Sequence, residues 1–353
     1  MKLLIFTQKI DQNDEVLGFF HTWVREFAQS CEKVTVICLE KRSFNLPQNV
    51  EVISLGKEKG LSFFMRIYNF YWLIFEKKNS YDVVFVHMNP EYLVLGGFIW
   101  KILRKKTALW YTHKSVDLKL RIAEKLTNYV FTAAKESFRL NSKKVKVLGH
   151  GIDIKQFVPK VKIDSEVFTI LHVGRISAVK NLDVLIEATR LLQPKLSGSL
   201  HLVLVGSPVT GEDFEYRDYL ISLIQKYGLA GVVTLQGGVP NREVASIYQS
   251  ADITVNTSTT GGVDKSVLES MACGIPSFSS TEAFRNYFGP YAQDFMFREK
   301  DPEDLALKIT NFLERKDQKK IADFLISSVR SRASVKILIS RILEILKPNE
   351  TSQ

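Results

Sequence analysis

What most constrains the fold of this chain is one rhythm that is interrupted once and then restarts. Short β-branched and apolar runs alternate with stretches of helical length. Strands are predicted at 2–7 (KLLIFT), 33–38 (KVTVIC), 50–54 (VEVIS), 81–87 (YDVVFVH), 107–111 (TALWY), 129–132 (YVFT) and 145–148 (VKVL). Strands separated by helices build βαβ units, so the sheet is parallel and doubly wound. The polar stretch PKVKIDSE, Pro159 to Glu166, breaks the pattern. New strands then follow at 168–173 (FTILHV), 199–205 (SLHLVLV), 232–235 (VVTL), 252–256 (DITVN) and near 277–279. The expected fold class is α/β, with two Rossmann-like doubly wound domains over 1–160 and 161–332. A final helix, about Ala333 to Leu346 within the segment 333–353, is expected to cross back to the first domain. A length of 353 residues agrees with two cores.

Composition removes several classes of function. Hydrophobic residues make up 45% and charged residues 24%, a globular balance. The longest apolar runs are too short to cross a bilayer, since Arg66 interrupts Leu61 to Phe75 and Lys101 interrupts Tyr92 to Leu103. The opening MKLLIF reads as a first strand and not as a signal peptide, which places the protein in the cytoplasm. Three cysteines without a CxxC spacing argue against a disulfide framework and against a zinc site, and Cys31 and Cys38 read as core thiols. The formal charge of +10 asks for an acidic partner: nucleic acid, anionic lipid or a phosphorylated substrate.

In open α/β sheets ligands bind beyond the carboxyl ends of the strands, so the loops there are the ones to inspect. After Val173 comes GRISAVKN, residues 174–181. Gly174 lets the backbone pass close to a ligand, and Arg175 and Lys180 put two cations on one short loop before a helix starting near Asn181. Two cations and a helix N-terminus suit a diphosphate; by themselves they equally suit solvated surface charges. The second loop is GGVDKSVLESMACGIP, residues 261–276. It is not a Walker loop, because Asp264 stands where glycine must precede Lys265. Glu269, on the helix that follows, is placed to accept from the two hydroxyls of a ribose, or is a helix-surface glutamate.

GRISAVKN and KSVLESMACGIP, with GHGID (149–153) and ADITVNTS (251–258), resemble the retaining family 4 (group 1) glycosyltransferases of the GT-B fold. The resemblance implies two Rossmann-like domains facing a central cleft, an N-terminal one for the acceptor and a C-terminal one for a nucleotide sugar. It implies that Arg175 and Lys180 grip the donor diphosphate, that Glu269 holds the ribose, and that His113, after the strand at 107–111, approaches the donor sugar; these three, His113, Arg175 and Lys180, are the expected catalytic residues. The implied donor site comprises Gly174, Arg175, Lys180, Gly262, Val263, Asp264, Lys265, Val267, Leu268 and Glu269. Asp14, Gly18, His150 and Gly151 fall on the acceptor side, where Asp11, Asn13 and Glu15 add to an acidic loop and His21 reads as a helix-face residue. The family's first glutamate of the second loop falls at Gly261, and Asp264 is the expected substitute for it at the sugar hydroxyls, with a helix N-cap as its alternative role.

No cofactor beyond the nucleotide sugar is implied and no metal, for there is no DxD motif and no His-rich or Cys-rich tract. The expected reaction is retaining transfer of a sugar from a nucleotide-diphosphate sugar to a glycan or lipid-linked acceptor in envelope polysaccharide or lipopolysaccharide synthesis. A dinucleotide-dependent oxidoreductase is the first rival, and no G-x-G-x-x-G follows a strand. The second is a catalytically inactive GT-B protein that binds nucleotide sugar or a partner. Nucleic acid is not expected, since no basic motif with interleaved aromatics occurs. The charge fits peripheral contact with an anionic membrane, at the inner face of the cytoplasmic membrane. Of the two segments that combine aromatics with Lys and Arg, core packing is expected to account for much of 61–78, and Lys101, Arg104, Lys105 and Lys106 in 97–106 are the expected lipid contacts.

Overall fold

The structure is a computed structural model that describes residues 1–113, 115–160, 166–196 and 198–347. Of the stretch 159–166 expected as a linker, 161–165 lie outside the described residues, as does 348–353 at the end of the expected last helix. The chain divides into two compact units, Met1–Gly151 together with the segment from Val335, and Ile152–Ser334. Residues 152–160, expected with the first domain, pack in the second unit: the Ile152 amide donates to Ala333 O at 2.7 Å, the Gln156 side chain donates to Asn241 O at 2.7 Å, and Phe157 packs edge-on against Tyr248.

Unit 1 runs β1 (Lys2–Ile10), α1 (Gly18–Ser30), β2 (Lys33–Lys41), β3 (Val50–Ser54), α2 (Phe63–Glu76), β4 (Val83–His87), α3 (Glu91–Ile102), β5 (Lys106–Trp110), α4 (Leu118–Leu126), β6 (Tyr129–Thr132) and β7 (Val145–Val147). The strands form one parallel sheet in the order β3-β2-β1-β4-β5-β6-β7. Alternate residues of each strand face opposite sides, so a sheet covered on both faces needs apolar residues at nearly every position. β1 shows the division: Leu3 and Ile5 join one core and Leu4 and Phe6 the other. The first core is closed by α1 and the last helix of the chain, the second by α2, α3 and α4.

Unit 2 runs β8 (Val167–Val173), α5 (Leu182–Leu192), β9 (Ser199–Val205), α6 (Gly211–Lys226), β10 (Val233–Gly237), α7 (Val244–Ser250), β11 (Ile253–Asn256), α8 (Lys265–Ala272) and β12 (Ser277–Ser279). Four helices follow, α9 (Arg285–Phe288), α10 (Ala292–Phe295), α11 (Pro302–Leu313) and α12 (Gln318–Arg332). The strands form a parallel sheet in the order β10-β9-β8-β11-β12. Local chemistry starts these helices: Thr210 and Asp213 make a reciprocal capping box on α6, and Asp301 caps α11 with Pro302 in its first turn.

The last helix, α13 (Val335–Leu346), returns to unit 1, where Leu338, Ile339, Ile342 and Leu343 enter the core shared with α1. Gly151 is the close-approach point. A Cβ there would lie 2.9 Å from Leu338 Cδ2 and 3.1 Å from the Val335 Cα, and its carbonyl accepts from Trp23 Nε1 at 3.3 Å.

One expectation about unit 1 is overturned. Core packing fully buries only Phe70, Leu73 and Ile74 of α2 and takes Tyr71 in part, while Phe64 is 81% exposed and Tyr68, Trp72 and Phe75 are each more than half exposed. No described helix is long and apolar enough to cross a membrane.

Candidate functional site

A doubly wound sheet opens a crevice where the chain winds outward in opposite directions from two neighbouring strands. In unit 2 those strands are β8 and β11, since β9 and β10 lie beyond β8 and β12 lies beyond β11. The two loops that the sequence singles out leave these strands, and they are stitched together. Asn181 Nδ2 donates to Thr257 O at 3.1 Å, the Thr259 amide donates to Val179 O at 3.3 Å, and the Thr257 hydroxyl donates to the Lys180 carbonyl. Asn181 itself takes a left-handed conformation, φ 45°, to turn the chain into α5.

The loop after β8 is shaped by glycine at two places. A Cβ on Gly206, just after β9, would overlap the carbonyl oxygen of Gly174, so the two strand-end loops pass at a distance that admits no side chain. The Gly174 amide donates to Val205 O at 3.0 Å and the Ile176 amide to Ser207 O at 3.3 Å, which holds that approach. Arg175 follows, with a half-exposed side chain whose Nε is 3.7 Å from Asp213 Oδ2. Asp213 is occupied by the capping box of α6, so this contact is loose and the guanidinium remains largely in solvent.

Lys180 is different from the open cation that the sequence suggests. Its Nζ lies 3.0 Å from Asp264 Oδ2, with the side chains only 15% and 25% exposed. Asn256 Nδ2 donates to the same oxygen at 2.6 Å. Burial by itself pushes the Asp264 carboxyl up, but the Lys180 charge and the hydrogen bonds from Asn256 and Lys180 outweigh it and hold its pKa below the ordinary aspartate value. Asp264 occupies the N-cap position of α8 without making a side-chain cap bond, so the N-cap alternative is not what the side chain does. Beneath the loop, His172 on β8 is buried. Its Nδ1 is 3.1 Å from the Val255 carbonyl, which makes Nδ1 the donor and leaves Nε2, buried without a hydrogen-bond partner among the described residues, toward Gly174. Burial, with Lys180 adding, pushes its pKa down to about 4.

On α8, Glu269 is buried rather than on the helix surface. The Tyr248 hydroxyl donates to its Oε2 at 3.1 Å. Burial raises the Glu269 pKa against the opposing pull of Lys265 and Tyr248, and burial likewise brings Lys265 down to about 8 against the pull of Glu269. Val263 is buried and Val267 and Leu268 are core side chains, so those three can offer a ligand only backbone groups. Gly261 has φ 69°. The left-handed backbone there disfavours any side chain, and it gives a physical reason for glycine where the resembling family carries glutamate. Gly262 adjoins it and is half-buried.

In unit 1 the switch point lies between β1 and β4. Asp14, in the loop after β1, is not a free acidic group: it pairs with Lys9 at 2.9 Å and accepts the Val16 and Leu17 amides at 2.9 and 2.7 Å. Gly18 is the buried first residue of α1. His21 is buried on that helix and accepts from the Asn45 amide at 3.1 Å, with burial pushing its pKa to about 4. His113 is exposed beyond β5, its ring edge-on to Tyr111 at 5.7 Å. His150 is half-buried beside Gly151, whose packing role is described above.

Four residues escaped the reading of the sequence: His172, Asn256, Tyr248 and His87. His87 ends β4 at the switch point, stacked on Phe20 at 3.8 Å with Nδ1 3.2 Å from Thr7 Oγ1. Like His113, which the family resemblance points to, His87 stands at a strand end. Met88 directly after it is held at φ 66°, an unusual backbone for a residue with a side chain. Nothing in sequence spacing marks Tyr248 or Asn256, which meet their carboxylates only through folding. Among the described residues no group of three His, Cys, Asp or Glu is arranged to hold a metal ion.

Residues 153–324 match the family model described as "Glycosyl transferases group 1". Over 211 residues the chain is 28% identical to a D-inositol 3-phosphate glycosyltransferase of Streptosporangium roseum, covering 56% of this chain and 48% of that protein. Over 144 residues it is 33% identical to a putative colanic acid biosynthesis glycosyltransferase, WcaL, of Escherichia coli, covering 39% and 34%. The match thus spans about half the length of the first relative and a third of the second. Among solved structures, Anabaena HepE in complex with UDP-glucose is similar with a TM-score of 0.75 at 19% identity, covering 98% of this chain and 99% of that one. The apo lipopolysaccharide outer core galactosyltransferase WaaB is similar with a TM-score of 0.64 at 14% identity, covering 98% and 99%. The parallel sheets of seven and five strands are those of the GT-B fold, and residues 153–324 form a domain of the group 1 glycosyltransferases.

Proposed function

We propose that the protein transfers a sugar from a nucleotide-diphosphate sugar, with unit 2 binding the donor and unit 1 the acceptor. What supports this above all is the convergence at the β8/β11 switch point: Arg175, Lys180 and the N-terminus of α8, where the Asp264 side chain makes no cap bond, sit on two loops bonded to each other. Helix N-termini and fixed cations stabilise the negative charge that builds on a departing diphosphate. HepE is solved with UDP-glucose, which makes a uridine donor the first to test.

In this reading the reaction keeps the anomeric configuration and needs no metal. The bond from the anomeric carbon to the diphosphate oxygen breaks, the acceptor oxygen bonds to the same face, and the acceptor hydroxyl proton passes to the departing phosphate oxygen. Arg175 and Lys180 stabilise that phosphate, Gly174 and the backbone of Gly262, Val263, Lys265, Val267 and Leu268 line the donor, and Glu269 receives the ribose. Asp264 anchors Lys180. His113 meets the sugar, while Asp14, Gly18, His150 and Gly151 belong to the acceptor side, where a glycan or lipid-linked glycan of the envelope is the acceptor.

The Lys180–Asp264 pair also favours a second reading, a binding protein without turnover, because the carboxylate neutralises a cation the reaction needs. A panel of nucleotide sugars tested for thermal stabilisation, followed by transfer assays, separates the two. A ligand that binds only the folded state raises the melting temperature, by about 2.7 kcal/mol of added stability at a hundred times Kd. Stabilisation by UDP-sugar with transfer supports the enzyme. Equal stabilisation by UDP and UDP-sugar without transfer to any lipid-linked acceptor supports the binder.

A further inference from the structure

On a helix that covers a core, the side opposite the core is normally polar. α2 breaks that rule. At 100° per residue its buried residues, Phe70, Leu73 and Ile74, lie on one side, and Phe64, Tyr68, Trp72 and Phe75 form a stripe on the side opposite. Their exposures are 81%, 62%, 52% and 52%, and Met65 beside them is 48% exposed. The neighbouring helices of the same layer repeat the arrangement. α3 turns Phe98 and Ile102 outward, and α4 turns Leu118 outward, each from the side away from its buried residues.

The unpaired charges beside this apolar surface are of one sign, since Glu76 at the end of α2 lies 3.8 Å from Lys77. Lys101 and Arg104 are exposed at the end of α3, Arg121 and Lys125 are exposed on α4, and none of the four has an ion pair among the described residues. The acidic side chains of α3 and α4 are engaged, Glu91 with Lys119 at 2.9 Å and Glu124 with Ser142 at 2.5 Å. Of the basic group expected to meet lipid, Lys105 and Lys106 are also engaged, donating to the carbonyls of Tyr81 and Lys347.

We propose that the outer face of α2, α3 and α4 is a docking surface for an anionic bilayer leaflet, with the aromatic stripe of α2 inserted at headgroup depth. Aromatic and aliphatic groups beside unpaired Lys and Arg match such an interface, where the rings are buried and the cations meet lipid phosphate. α2 has 14 residues, enough to lie in the interface and too few to span it. A partner protein would present its own charge pattern; the acids of this face are engaged within it and the unpaired charges share one sign, which favours a continuous anionic surface. The inference extends the membrane-side acceptor named above, yet its test uses neither donor nor turnover, so either can fail without the other.

The protein carries its own probe. Of the four tryptophans, Trp23, Trp100 and Trp110 are at most 2% exposed and Trp72 alone faces outward. Full-length protein is mixed with vesicles of phosphatidylcholine alone, of phosphatidylcholine and phosphatidylglycerol in equal parts, and of the latter mixture with brominated acyl chains. The expected result is sedimentation with anionic vesicles only, a blue shift of Trp72 emission, quenching by the brominated lipid, and release by salt. Phe64→Ser with Phe75→Ser should abolish insertion while leaving the melting temperature unchanged, since both side chains are exposed. Lys101→Glu and Arg104→Glu should each weaken partitioning about fivefold or more. No binding to either vesicle, equal binding to both, or binding without a change in Trp72 overturns the proposal. A concentration-dependent Trp72 shift without lipid, with dimers in sedimentation, also overturns it and assigns the face to a second copy of the chain.

Discussion

Lys180 and Asp264 show how a single contact changes what a substitution tests. Lys180→Ala is expected to lower turnover by about 10²-fold or more, as for loss of one preorganised charge stabiliser. Because it also leaves Asp264 without its cation, it should cost about 2 kcal/mol of stability, less than a fully buried pair would. The double variant Lys180→Ala, Asp264→Asn should recover most of that loss in denaturant unfolding, and simple additivity would show that the pair is not coupled. Arg175→Ala should match the loss of turnover with almost no loss of stability, since its side chain is half exposed. If Asp264 instead contacts the sugar, Asp264→Asn will leave nucleoside diphosphate affinity unchanged; as the anchor of Lys180 it will alter it. Glu269→Gln separates function from stability in the other direction. A carboxyl whose folded pKa is raised by burial binds its proton more tightly in the folded state, so folding loses free energy as pH rises through the window above the ordinary glutamate value. Glutamine stays neutral and can still accept from Tyr248. The variant should therefore be at least as stable as the wild type at neutral pH while binding nucleoside diphosphate about ten-fold more weakly, the value of hydrogen bonds to a charged acceptor. Calorimetry and titration on the same samples check both halves.

The elements of the site depend on where backbones touch. Gly206→Ala places a methyl group on the Gly174 carbonyl oxygen, which must push the β8 and β9 loops apart. The expected loss is about 3 kcal/mol or more of unit 2 stability, together with loss of nucleotide binding. Gly211→Ala is the control. It lies in the first turn of α6 with nothing within 4 Å of a new Cβ, and should be neutral or slightly stabilising. Equal behaviour of the two variants in urea unfolding would remove the close approach as a determinant of the loop.

Across the whole molecule, the buried His21 and His172 contribute to the response to acid. His21 in unit 1 and His172 in unit 2 have folded pKa values of about 4, against an unfolded value near 6.5. Between those limits the unfolded chain binds protons that the folded chain does not, so stability falls as pH drops from about 6.5 to about 4. Each group accounts for about 3 kcal/mol over that range. Asp264, with its pKa held below the ordinary value, keeps its contribution there and loses it only as pH falls further through that depressed value. His172→Asn, whose amide can still donate to Val255 O, should flatten the acid limb for unit 2 and leave that of unit 1 in place. Urea unfolding followed across pH with a probe in each unit measures this.

The strand rhythm alone determined the two parallel sheets, because a strand buried on both faces must be apolar at nearly every position and βαβ spacing allows only parallel pairing. Eight of the predicted strands, including 50–54, 129–132 and 199–205, lie within a residue of their observed bounds at both ends, among them β8 and β11 at the site itself. The residue types of the two loops at that switch point were legible for the same reason, since strand ends follow from the strands. Tertiary structure decided everything that joins residues far apart in the chain. It put Asp264 on Lys180 and Tyr248 on Glu269, contacts that span 84 and 21 residues and leave no periodic trace. It assigned residues 152–160 to the second unit. It also turned the aromatics of α2 away from the core: an apolar residue in a helix records its hydrophobicity and its angle, while what lies opposite that angle is set by the neighbours that fold against it.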